Sequence, residues 1–109
     1  MVKSYKEMIS DQVNYCREKM NEGSLEDFMR GVATLHMFLK PKIEEDETYK
    51  NLVKRIRDIE SVPTRSKATI RNLQINYSKL FEILIMTAIK KELLIIDPKK
   101  DILQKWGED

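Results

Sequence analysis

SVPTRSKATIRNLQINY, residues 61–77, is the stretch on which the fold turns. The residue before a proline avoids the helical region, so a helix arriving from upstream must close before Val62-Pro63. The hydroxyls of Thr64 and Ser66 can cap a new helix by accepting an orphan amide. Beyond them Ile70, Leu73 and Tyr77 recur at helical spacing. The stretch is therefore a boundary between two helices, and it opens the longer one.

Downstream, the spacing predicts a helix over residues 65–94, about 45 Å long at 1.5 Å per residue. One face carries Ile70, Leu73, Tyr77, Leu80, Phe81, Leu84 and Ala88, and a second side carries Ile75, Ile83, Met86 and Leu93. A helix apolar on two sides is central in its own domain or lies at a dimer interface. Asp97-Pro98 then reads as a cap followed by proline in a first turn, opening a short helix over 98–106 with Ile102, Leu103 and Trp106.

Upstream, a helix is predicted over 46–60 from the stripe Tyr49, Leu52, Val53, Ile56 and Ile59. The acidic run 44–47 suits its first turn, where carboxylates favour the macrodipole. Two further helices, over 4–21 and 25–39, bury Tyr5, Met8, Ile9, Val13, Cys16 and Met20 on one and Leu25, Phe28, Met29, Val32, Leu35, His36 and Leu39 on the other. Gly23 closes the first, Ser24 with Asp27 caps the second, and Pro41 stops it. The short connection makes these two an antiparallel hairpin. The fold class is thus all-α: one domain over residues 1–109, four main helices and a short C-terminal one.

Composition agrees. A chain of 109 residues suits one domain, and 3 Gly and 3 Pro are too few for the turns of a sheet protein. The Lys, Glu and Ile bias also resembles thermophile proteins. A single cysteine, Cys16, excludes an internal disulfide and favours a reducing compartment. No signal-peptide core is present near the start, and the longest apolar run, 81–89, is far below the ~20 residues that span a bilayer. A cytoplasmic protein with no membrane contact is expected.

The residues that are missing narrow the chemistry. The one histidine, His36, lies on an apolar helix face and has no Glu-x-x-His partner, which argues against a di-metal bundle. One Cys and one His cannot make a zinc site, and three scattered glycines make no phosphate loop. No nucleophile–base pair stands out, so a non-enzymatic role without cofactor or metal is expected.

Two features remain for function. Between residues 50 and 79, eight basic side chains stand against two acidic ones, a net +6 in a chain of net +2, leaving −4 elsewhere. Lys50, Lys54 and Arg57 form one stripe, and Arg65, Lys67 and Arg71 follow at the start of the next helix. This resembles in outline the edge of a helix-turn-helix, where first-turn residues read bases and cations hold phosphates. The other feature is the apolar surplus beyond the core stripes, Met37, Phe38, Ile75, Ile83, Met86, Ile95 and Ile96, which fits an interface of Phe38, Ile75, Ile83, Met86, Leu93 and Trp106. The favoured expectation is a small interaction protein acting as a homodimer; the alternative is a nucleic-acid-binding regulator.

Overall fold

The computed structural model describes residues 3–63 and 66–94. Among these residues there are four α-helices and no strand: α1 Tyr5–Glu22, α2 Leu25–Leu39, α3 Glu47–Glu60 and α4 Lys67–Lys90. A 3-10 turn, Lys40–Lys42, links α2 to α3. The all-α bundle expected from the sequence is what forms. The short helix over 98–106, with Trp106, and Arg65 lie outside the described residues.

Local chemistry sets the helix starts. Ser4 and Glu7 form a reciprocal capping box on α1. Asp46 accepts the Tyr49 amide at 2.8 Å, so the acidic run does cap α3. Ser66 accepts the Thr69 amide at 3.2 Å, which places the start of α4 at Lys67. Ser24 differs from the expectation: its side chain makes no cap bond on α2. Its amide instead donates to Lys19 O at 2.9 Å, beside Gly23 N to Met20 O at 3.1 Å. With Gly23 at φ 75, this is a left-handed closure of α1 that leaves Ser24 serving the helix behind it.

The end of α4 corrects the sequence reading more substantially. The helix stops at Lys90, not at residue 94. Leu93 N donates to Ala88 O at 2.7 Å and Glu92 N to Ile89 O at 3.0 Å, while Glu92 sits at φ 56. This repeats the closure after α1 with no glycine at the left-handed position. It turns Leu93 and Leu94 back onto the core, so the apolar run continues through a chain reversal rather than through more helix.

The helices pack as two antiparallel hairpins, α1 with α2 and α3 with α4, joined along α2 and α4. At the first hairpin Ile9, Val13 and Cys16 meet Phe28, Val32, Leu35 and Leu39 in the core. Gly31 lets α1 approach closely: a Cβ there would lie 2.9 Å from Cys16 Sγ. Gln12 Nε2 donates to Gly31 O at 2.9 Å, and the Tyr5 hydroxyl donates to Phe38 O. In the second hairpin the Tyr77 hydroxyl donates to Glu60 Oε2 at 2.8 Å. The α2–α4 seam carries a T-shaped Phe28–Phe81 pair with centroids 5.6 Å apart. Ile85, assigned to neither apolar side from the sequence, is buried in the core, whereas Ile70 is exposed.

Candidate functional site

An open groove of about 930 Å³ lies between α3 and α4. Leu52, Ile83 and Ile89 form its floor, because these positions also pack on the core. Cations ring it: Lys42 before α3, Arg55 on α3, and Lys79, Lys90 and Lys91 on or just after α4. Glu44, Asp46 and Glu82 lie among them. Lys90 Nζ pairs with Glu44 Oε1 at 2.9 Å, which holds the Glu44 carboxyl below its ordinary range. The opening is thus apolar below and mainly cationic above.

The cations expected to form one nucleic-acid footprint lie on two successive elements, α3 and the start of α4. Lys50, Lys54 and Arg57 are exposed on one flank of α3, and Arg55 faces the groove on the other. Lys67 and Arg71 are exposed at the start of α4. The Thr69 hydroxyl is engaged with Ser66 at 3.0 Å in the cap. None of Lys50, Lys54, Arg55, Arg57, Lys67, Arg71 or Lys79 forms an ion pair with another described residue.

The expected interface residues also divide. Phe38, Ile83 and Leu93 are half-buried and pack against the chain's own core. Ile75 and Met86 remain open, at 45% and 57% exposure. Both lie on the outer crest of α4, with exposed Lys79 and Glu82 between them. The crest pattern Ile75, Lys79, Glu82, Met86 is readable at i, i+4, i+7, i+11. The groove is not, because Arg55 and Lys79 are distant in sequence and meet only through the α3–α4 pairing.

The groups with intrinsic reactivity are engaged in packing. His36 Nε2 shares a 2.6 Å hydrogen bond with the Tyr49 hydroxyl, and the rings meet edge to face. Burial, then the charges of Lys40 and Arg57, hold the imidazole pKa below its usual value. Burial pushes the Cys16 thiol up to about 12, leaving it a protonated packing group. Among the described residues no group of three His, Cys, Asp or Glu side chains is placed to hold a metal ion. None of the described helices is long and apolar enough to cross a membrane. The chain matches no protein-family model, no curated protein and no solved structure.

Proposed function

We propose that this is a non-enzymatic cytoplasmic interaction protein that assembles as a homodimer through the outer crest of α4. One observation carries the reading: the crest is self-complementary. Two copies of α4 paired antiparallel about a two-fold axis between Leu80 and Phe81 set Ile75 against Met86 of the second copy. The same axis sets Lys79 against Glu82, so both apolar and charged positions match at once. A two-fold interface requires this property, since one patch must fit itself. Both apolar side chains are open to solvent in the single chain.

Sedimentation at tens of micromolar protein tests the proposal. The wild type should run at twice the 12.9 kDa chain mass. Lys79→Glu and Glu82→Lys should each weaken the dimer, and the double swap should restore it. A wild-type monomer, or a double swap no better than the singles, refutes the arrangement.

The unpaired cations support a second reading, in which the basic side binds nucleic acid. Lys50, Lys54 and Arg57 on α3, with Arg65, Lys67 and Arg71 around the start of α4, would contact phosphates. Filter binding across a salt series tests it. Affinity should fall steeply with salt, and Lys67→Ala should flatten the slope by about one ion. Absence of binding at low salt removes this reading.

A further inference from the structure

We propose that the α4 homodimer carries a composite site for double-stranded DNA, in which Lys67 and Arg71 of both copies hold phosphates one turn of the duplex apart. Such a site rests on both readings above, the α4 dimer and the cationic side that contacts phosphates, and it is incomplete in a single chain. Lys67, Arg71 and Gln74 recur at i, i+4 and i+7, so they share one flank of α4. All three are exposed. Neither cation forms an ion pair with another described residue. The single acid of α4, Glu82, lies on the crest and not on this flank. At 3.6 residues per turn the flank stands about a quarter turn round from the crest of Ile75, Lys79, Glu82 and Met86, so the dimer contact leaves it open.

Symmetry fixes where the second flank lies. A two-fold axis normal to an antiparallel helix pair returns each flank to the same side of the pair. Both Lys67–Arg71 flanks therefore face one way. The axis passes between Leu80 and Phe81, so the midpoint of Lys67 and Arg71 is about 11.5 residues from it, or about 17 Å at 1.5 Å per residue. The two midpoints stand about 34 Å apart along the helices, and about 36 Å once the roughly 8–10 Å between packed helix axes is included. Successive turns of B-form DNA recur at about 34–36 Å. A single strand offers the same phosphates without that fixed repeat, so the spacing selects the duplex.

Fluorescence anisotropy with labelled duplexes of about 8 and about 16 base pairs, about 27 and about 54 Å long, tests the spacing. The longer reaches both flanks and the shorter only one. Affinity should rise about 100-fold from the short duplex to the long one, because the second contact becomes intramolecular. Single strands of the same two lengths should differ only a few-fold, the gain from extra binding registers. Lys67→Ala with Arg71→Ala should weaken both duplexes and remove the step while circular dichroism retains the helices. Glu82→Lys adds a cation yet weakens the dimer, so it should lose the step. Adding Lys79→Glu to that variant restores the crest pairing and should bring the step back, with sedimentation at the same concentrations reporting the dimer. Failure to bind either duplex at low salt refutes the nucleic-acid reading, and this site with it. A dimer that binds both duplexes without a step, or a step that persists in monomeric Glu82→Lys, overturns the composite site and leaves that reading standing. So does a wild type that binds both duplexes as a monomer.

Discussion

Replacing Gly31 with alanine should destabilise the protein, against the usual expectation for a glycine inside a helix. Alanine in mid-helix is worth about 0.8–1 kcal/mol over glycine, so propensity alone favours the change. The added Cβ, however, would stand 2.9 Å from Cys16 Sγ and 3.0 Å from the Tyr15 ring. Tyr15 is 38% exposed and can swing aside, whereas Cys16 is fully buried and has nowhere to move. Forcing a methyl group into a filled core costs about 1–3 kcal/mol. The net effect is a loss of about 1 kcal/mol, or a fall in Tm of about 5 °C for a domain of this size. Cys16→Ala alone removes one buried atom and should cost about 1 kcal/mol. In that background the clash is gone, and Gly31→Ala should become stabilising by up to about 1 kcal/mol. Urea denaturation of the four proteins, followed by circular dichroism, closes the double-mutant cycle. A stabilised Gly31→Ala whose effect simply adds to that of Cys16→Ala would refute the close approach of α1 and α2.

Glu92→Gly should raise stability by about 0.5–1 kcal/mol, because a left-handed conformation costs an L-residue about 1–2 kcal/mol and glycine returns part of that as backbone entropy; a lower urea midpoint would contradict the φ of 56. Asn76 is buried with Nδ2 donating to Asn72 O at 2.7 Å and Oδ1 without a partner among the described residues. Asn76→Leu should therefore gain about 1 kcal/mol, and a loss of similar size would show that Oδ1 is satisfied in solution. His36 has a folded pKa below its ordinary 6.5, so the unfolded chain takes up a proton first and stability should fall as pH drops through 6.5 toward the folded value. His36→Gln should lose that step in denaturation midpoints measured from pH 7.5 to 5.5, a range chosen to bracket the imidazole; an unchanged step would assign it to other groups.

Most of the architecture is legible in the sequence because amphipathic spacing and caps are local. Leu52 and Ile56 on α3, or Phe28, Val32, Leu35 and Leu39 on α2, are buried as their period requires. Asp46 and Ser66 cap the helices they precede. The misread features depend on tertiary context. The end of α4 carries no glycine to mark it, and its left-handed residue is held by Leu93 and Leu94 packing on the core. Ile70 keeps the helical period yet lies beyond the reach of the neighbouring helices at the start of α4. Of the proposed interface, Phe38, Ile83 and Leu93 look as apolar as Ile75 and Met86, and only packing separates the covered from the open. The groove needs two helices to exist, so no single stretch announces it.

The hairpin arrangement also ranks the ways in which the molecule can open without unfolding. α1 packs chiefly on α2, whereas α2 and α4 each serve two neighbours. Detaching α1 uncovers one side of α2 and leaves the α2–α4 seam and the α3–α4 pair standing. Detaching α4 exposes Phe81, Leu84 and Ile85, strips α3 of its packing partner and leaves only the α1–α2 pair in contact. Native-state amide exchange should accordingly find α1 in a subglobal unit of lower free energy and α4 exchanging only with the whole molecule. A protease or chaperone that samples such states would meet the N-terminal helix first, with the face bearing the α4 crest and the groove still folded.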